Sequence, residues 1–360
     1  MDTVAVRMPM VNIGDIAPQQ AGLAKTSMDT LYLRVETDEG ITGWGEGFGH
    51  RVYPATRTML DDVIRPMCIG SDALAIGMLL DRLSRNLVGS GRNGPATYAL
   101  SALDIALWDI AGKAAGVPLY RLLGGSSRTE VPAYASLLRY GDVGAMSARL
   151  GMLARRGYTQ FKVHEIEVET IRGAREAVGT GVPLMVDCTR AWTRDGAIRA
   201  CRSLQDLELG WVEEPIYPPE DIEGLRDVRT LGGIPTAAGE NATFHDFRRM
   251  FEVGALTVAQ PSVAKIGGVT QVQKVLGLAE AFGVQVVPHS AYFGPGLLAT
   301  IHVVAAMGPT APVERYDADF SINPLHDAVI PNSNGLFEVP QGPGLGVDPD
   351  PEVLQRLRVA

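Results

Sequence analysis

Cysteine is scarce: Cys68, Cys188 and Cys201 are the only three in 360 residues. Their number is odd and their spacing is neither that of a zinc site nor that of a disulfide framework, so they read as ordinary buried thiols outside the chemistry. Positive charge is also short. With 32 Lys and Arg against 41 Asp and Glu the formal net charge is −9, and no basic cluster stands out; a surface that neutralises nucleic-acid phosphates is excluded. No uninterrupted apolar stretch approaches a membrane span, and the opening MDTVAVRMPM lacks a charged start followed by an apolar run, so no membrane partner and a cytoplasmic location are expected. Low-complexity segments and repeated motifs are missing too.

What is present is an ordinary globular composition, 46% hydrophobic and 20% charged, which gives no compositional case for disorder. The length fits one large α/β barrel plus a smaller unit. The first stretch reads as α+β: Asp29–Glu36 alternates like a strand, Asp38-Glu39-Gly40 turns, and Ile41–Glu46 pairs back. Helical spacing follows over Pro54–Ile64, Leu74–Leu87 and Ala96–Ala115. From Val131 short apolar strands alternate with amphipathic helices, the sequence form of stacked βαβ units. Eight strand candidates occur: PAYASLL, TQFKVHE, PLMVDCT, GWVEEP, PTAAGE, LTVAQPS, VQVVPHS and APVERY. The Pro- and Gly-rich stretch after Ile330 is read as lacking regular elements and as running back over the first unit. The expected division is a cap of residues 1–125, a barrel of 126–330 and a C-terminal segment of 331–360.

Barrel enzymes carry their reacting groups where strands end. Here the strand ends carry Lys162 and His164, Asp187, Glu213 and Glu214, Glu240 and Asn241, Gln260-Pro261-Ser262 with Lys265 beyond, His289, and Glu314. Asp187, Glu213 and Glu240 fall on three consecutive strands at one height, where they are expected to converge. Such carboxylates repel unless a cation lies between them, and oxygen-only ligands select Mg²⁺ over zinc. Lys162 and His164, two apart on a strand, share a face; beside a cation Lys162 is expected to be neutral and usable as a base.

The ordered set Lys162-x-His164, Asp187, Glu213-Glu214-Pro215, Gly239-Glu240-Asn241, Lys265-Ile266-Gly267-Gly268, His289 and Glu314 resembles the mandelate racemase and muconate lactonizing enzyme group of the enolase superfamily. The resemblance runs from GWGE at Gly43–Glu46 to PGLGV at Pro343–Val347. It implies an α/β fold: a modified (β/α)8 barrel of the (β/α)7β type, with an α+β N-terminal capping domain completed by the C-terminal tail. Asp187, Glu213 and Glu240 match the Mg²⁺ ligands, and Glu314 matches the acid that hydrogen-bonds the substrate carboxylate. Lys162 and His164 match the Lys-x-Lys pair, and His289 matches the base on the opposite face. Gly14–Thr26 and Gly47–Tyr53 match the cap loops that select substrate. Lys265, Asn241, Ser136, Ser262, His50 and Tyr53 are the substrate-binding candidates.

The departures from the pattern carry information. Where the racemases pair the histidine with an Asp, this chain has Ser262; the second Lys is His164; the Asn expected two residues after the first ligand is Thr189. A carboxylate partner stabilises protonated histidine, so racemisation is disfavoured. KVH, QPS and PHSAYFGPG look most like sugar-lactone cycloisomerases of the galactarolactone type. The expected reaction is proton abstraction beside a carboxylate through an enediolate, then ring-opening of an aldarolactone. Acid-sugar dehydratase, racemase or epimerase, and a non-catalytic barrel binding protein are the alternatives. A homo-oligomer acting on a small carboxylate, either an acid sugar or its lactone, is expected.

Overall fold

The computed structural model describes residues 1–11, 27–125, 128–308 and 311–359; the expected cap loop Gly14–Thr26 lies outside them. The first unit is built on strands β1 (Asp2–Val11), β2 (Ser27–Glu36) and β3 (Thr42–Gly47). β1 pairs antiparallel with β2 and β2 with β3. Gly40, at φ +79°, makes the β2–β3 turn, which is closed by Thr37 N donating to Ile41 O at 3.0 Å.

β3 shows why its sequence is TGWGEG. Gly43 and Gly45 face the helix Pro95–Ala115, and an added Cβ would sit 2.2 Å from Ala106 O and 1.9 Å from Ala102 O. Only glycine lets strand and helix approach that closely. Trp44 and Glu46 point to the other face, as strand alternation requires. The helix starts at Pro95 and ends at Gly116 in the left-handed conformation, φ +69°. Before it, the helix expected over Pro54–Ile64 runs from Tyr53 to Cys68 with a wider π turn at Met59–Ile64, and a further helix spans Ile76–Asn86.

The second unit is a curled parallel sheet of β4 (Glu130–Ser136), β5 (Phe161–Val163), β6 (Leu184–Asp187), β7 (Val212–Glu213), β8 (Thr236–Ala238), β9 (Val258–Ala259), β10 (Gln285–Val286) and β11 (Val313–Tyr316). Hydrogen-bonded neighbours run β10-β9-β8-β7-β6-β5-β4-β11. Among the described residues no ladder joins β10 to β11. Ser290 bridges that seam, its N–H donating to Glu314 Oε2 at 2.9 Å and its hydroxyl to Glu314 O at 2.8 Å. Helices follow the strands, among them Val143–Arg155, Val168–Val178, Ile222–Gly232, Phe244–Glu252, Val269–Phe282 and Pro295–Ala306. The helix expected at Asp195–Leu207 is Arg194–Ser203 followed by a 3₁₀ turn, Gln205–Leu207.

The largest core lies between the strands and the surrounding helices. A smaller layer, Tyr134, Met185, Trp211, Ala237, Val258 and Val287, fills the barrel interior. It forms an apolar floor, and residues two positions further along the same strands point up from it toward the barrel mouth.

The stretch after Ile330 corrects the expectation. Gly335, at φ +69°, turns the chain so that β13 (Leu336–Glu338) pairs antiparallel with β4, and Asp350 caps a helix over Pro351–Leu357. Proline and glycine mark the turns there, and three residues between turns suffice for a strand. The closing helix packs on the cap: Val353, Leu354 and Leu357 share a core with Val6, Met8 and Tyr32. The cap sheet also takes β12 (Asp319–Phe320), antiparallel to β1, giving the order β12-β1-β2-β3. Among the described residues no helix is long and apolar enough to cross a membrane.

Candidate active site

The strand alternation that lays the apolar floor also lifts charged groups above it. Met185 belongs to the floor and Asp187, two residues on, stands at the mouth; Trp211 and Glu213 repeat the relation. Lys162, fully buried on β5, places Nζ 2.7 Å from Glu213 Oε1, 2.8 Å from Glu314 Oε1 and 3.5 Å from Asp187 Oδ2. Its ammonium also lies 5.8 Å above the Tyr134 ring. Next along the strand, His164 has Nδ1 hydrogen-bonded to Leu137 O and Nε2 3.1 Å from Asp187 Oδ2. The carbonyl fixes Nδ1 as the donor and leaves Nε2 facing the site.

Across the mouth the groups gather on Glu240. His289 Nε2 lies 2.9 Å and Lys265 Nζ 3.2 Å from its Oε2. Arg190 Nη1 and Asn241 Nδ2 donate to its Oε1 at 2.9 and 2.8 Å. His289 Nδ1 meets the Ser262 hydroxyl at 3.2 Å, in the place where the racemase pattern has a carboxylate. Lys265 Nζ also stands 4.3 Å over the Phe48 ring of the cap.

The three acids are therefore not gathered round one point. Among the described residues no group of three His, Cys, Asp or Glu side chains could hold a metal ion as arranged. The physical reason is charge: Asp187 and Glu213 pair with Lys162 between them, while Glu240 turns to Lys265, His289 and Arg190. The expectation of a neutral Lys162 concerns the site with a cation beside it; among the carboxylates alone the balance is the reverse. Burial works against its charge, yet Glu213 and Glu314 outweigh burial and raise its pKa above the ordinary lysine value.

The acids divide in the same way. Burial pushes Asp187 up, but His164 and Lys162 hold it well below the carboxylate range. Burial also opposes the charge of Glu240, and Lys265 and His289 hold it low. Glu314 is held at about 2 by Lys162 and His289 against its burial; it is an acceptor, bonded to Lys162 and to Ser290 N. Glu213 goes the other way, raised by burial and then by Asp187 and Glu314 despite Lys162. Trp211 Nε1 and Gln260 Nε2 donate to its Oε2 at 3.0 and 2.7 Å.

Other candidates sit nearer or farther. Ser136 pairs in register with Lys162, and among the described residues its buried hydroxyl has no hydrogen-bond partner. Asn241 is tied to the cap by Asn93 Nδ2 to its carbonyl at 2.6 Å and Tyr98 OH to Oδ1 at 3.3 Å. His50 packs edge-on to Phe48, 5.3 Å between ring centres. Tyr53 does not join the site: it packs against the cap core on the helix it starts. Arg190 escaped the sequence reading; its only signal is a cation three residues past Asp187. It also approaches Glu214 at 3.7 Å. A side cleft of about 230 Å³ opens beside Arg190, Glu214, Pro215 and Met250, flanking the constellation without including Lys162, His164 or His289.

Acids and bases brought to the mouth of a capped barrel by successive strand ends define a barrel enzyme equipped for proton transfer. Residues 5–124 match the description "Mandelate racemase / muconate lactonizing enzyme, N-terminal domain", and residues 145–353 match "Enolase C-terminal domain-like". The chain belongs to the mandelate racemase/muconate lactonizing enzyme family of the enolase superfamily. It is similar to a 3,6-anhydro-alpha-L-galactonate cycloisomerase of Streptomyces coelicolor, 34% identical over 93% of each chain. It is 32% identical to a D-galactarolactone cycloisomerase of Agrobacterium fabrum over 91% of each. A racemase from Streptomyces coelicolor, crystallised with bound magnesium, superposes with a TM-score of 0.87 at 31% identity over 99% of both chains. Acid-sugar dehydratases are among the further matches.

Proposed function

We propose that this enzyme uses Mg²⁺ to abstract the proton beside a carboxylate and isomerises an aldarolactone by opening its ring. Asp187, Glu213 and Glu240 are the residues that would hold the ion: an oxygen-only set from three neighbouring strands, in which burial and then the nearby Asp187 and Glu314 raise Glu213, a crowding of acids that fits a hard cation. When bound, Mg²⁺ supplies positive charge to the developing enediolate.

The rest of the mechanism belongs to the chain's own side chains. Lys162 and His164 stand at Glu213 and Asp187 while His289 stands at Glu240, which supports a reading in which one face of the substrate carbon meets the β5 pair and the opposite face meets His289. A base from this set takes the α-proton. Lys265 adds a further positive charge beside Glu240. The bond from the β-carbon to the ring oxygen then breaks, and the ring oxygen leaves as a carboxylate. The enol takes up one proton and becomes a linear keto acid of the same mass as the lactone.

The observation that favours ring-opening over loss of water is the partner of His289. A hydroxyl, Ser262 Oγ, stands at Nδ1 where a carboxylate would support the protonated ring. Hydroxide needs a strong general acid to leave, whereas a lactone carboxylate oxygen does not. On the same reading the protein is a cytoplasmic homo-oligomer, which cell fractionation and sedimentation test.

Proton NMR in D₂O with Mg²⁺, over a set of acid sugars and aldarolactones, tests the reaction. The expected product is a deuterated keto acid from a lactone. Water loss from a linear aldarate with lactones inert would replace this reading by a dehydratase. Deuterium uptake with inversion and no keto product would indicate a racemase, and no exchange with any substrate a binding protein.

A further inference from the structure

Two acids of the cap, outside the barrel mouth, grip the loops that carry Lys265 and His289. Glu46, at the end of β3 and 1% exposed, accepts at Oε2 from Gly294 N at 3.0 Å and Gly296 N at 2.9 Å. These N–H groups open the helix Pro295–Ala306, five residues past His289. A Cβ on Gly294 or Gly296 would stand 2.8 or 2.9 Å from the same carboxylate oxygen, so the glycines make room for it. Tyr292 continues the link, its hydroxyl donating to His289 O at 2.9 Å.

Asp104 repeats the arrangement from the long cap helix Pro95–Ala115. It is fully buried, and Oδ2 accepts from Thr270 N at 3.1 Å, in the first turn of the helix Val269–Phe282. A Cβ on Gly268 would meet Asp104 Oδ2 at 2.1 Å. Along the same helix Ser101 Oγ accepts from Gly267 N at 2.8 Å, and Trp108 Nε1 donates to Thr270 Oγ1 at 2.9 Å. These residues hold the Gly267-Gly268 turn, which begins two residues past Lys265. Phe48 N donates to Ala264 O at 3.3 Å, adding a backbone link from the cap to the same loop.

We propose that Asp104 and Glu46 are positioning residues: each caps, from the other domain, the barrel helix that follows a loop of the site, Asp104 fixing Lys265 and Glu46 fixing His289. An acid at a helix N-terminus satisfies N–H groups the helix cannot, and these two reach theirs only when cap and barrel are seated together. The cap is then part of the frame that sets the geometry of the mouth as well as its cover. The catalytic side of this inference rests on the proposed roles of Lys265 and His289.

The test is hydrogen–deuterium exchange on the full chain, comparing D104A, D104N, E46A and E46Q with the parent protein. D104A is expected to speed exchange by about 10-fold or more over residues 265–272 while leaving 290–297 unchanged, and E46A to do the reverse. D104N and E46Q keep an acceptor oxygen and should fall between. They also keep the question answerable if an alanine variant fails to fold. On a substrate that turns over, kcat should drop about 10- to 100-fold with KM within about 3-fold, because displaced groups lose rate before binding, and D104N and E46Q should partly restore it. Exchange unchanged in both segments, exchange loosened evenly through the barrel, or loosened loops with unchanged kcat would each overturn the proposal. If no acid sugar or lactone reacts, the proposed reaction fails while the exchange result still decides whether these acids position the loops.

Discussion

Lys162 is a buried ammonium with three carboxylates round it, so removing its charge leaves Asp187, Glu213 and Glu314 in a low-dielectric pocket without the cation they share. Lys162→Met should cost about 3–5 kcal/mol of stability after chelator treatment, and excess Mg²⁺ should narrow the gap; chemical denaturation with and without the ion measures both. Equal losses in the two conditions would separate Lys162 from the ion site. Glu46 makes a pH prediction. Burial raises it from 4.5 to about 8 against its backbone hydrogen bonds, and the titratable groups facing it, Tyr32 and Tyr292, are raised too. An acid raised on folding contributes stability below its unfolded pKa and loses it as pH rises through the folded one. Between about pH 4.5 and 8 the parent protein should therefore lose up to a few kcal/mol relative to E46Q. Parallel urea midpoints for the two proteins across that window would contradict it. At this scale the strand-end acids and bases were legible because alternation and barrel position give each a direction. Arg190 was not, because its role depends on how a loop folds back on Glu240.

The contact between β3 and the helix Pro95–Ala115 is a backbone-to-backbone fit, and it makes glycine positions unequal. Gly45→Ala would drive Cβ to 1.9 Å from Ala102 O and should cost about 1–3 kcal/mol or more. Gly77→Ala meets nothing within 4 Å on the exposed side of its helix and should gain about 0.5–1 kcal/mol. Equilibrium unfolding of the two variants decides; equal effects would mean the close approach is not what selects glycine. The eight barrel strands lie where their apolar runs put them, although several keep only two residues in the ladder. β1 escaped notice: Pro9 interrupts its reading as a strand, while the structure tolerates the missing N–H at the end of its pairing with β2, opposite Ser27. β13 and the closing helix were hidden by the proline and glycine around them, residues that signal turns and say nothing about three to seven residues between turns.

Over the whole molecule, cap and barrel are interleaved in sequence. β1 has β2 on one edge and β12 on the other, with the helix Pro351–Leu357 across its face and Val359 N donating to Ala5 O at 2.9 Å. Leu354→Ala should therefore destabilise a strand some 350 residues away in sequence, by about 2–5 kcal/mol, which exchange at Val4–Met8 and chemical denaturation would both register; loss confined to the last helix would refute it. The return of the tail to the first unit was legible, but the helix that makes it and the face of β1 it covers were not, because no local pattern records which distant surface a helix will cover.

That closure orders events in time. On the ribosome β1 emerges long before residues 319–359, yet one of its edges and one of its faces wait for them to be made. During most of synthesis Val6, Met8 and Tyr32 lack the closing helix that completes their core, and the barrel units must assemble beside an unfinished cap. Domains generally fold as they emerge, N-terminal first; here the unit that holds β1 is completed only by residues 319–359, so an apolar face of that strand stays uncovered until they are made.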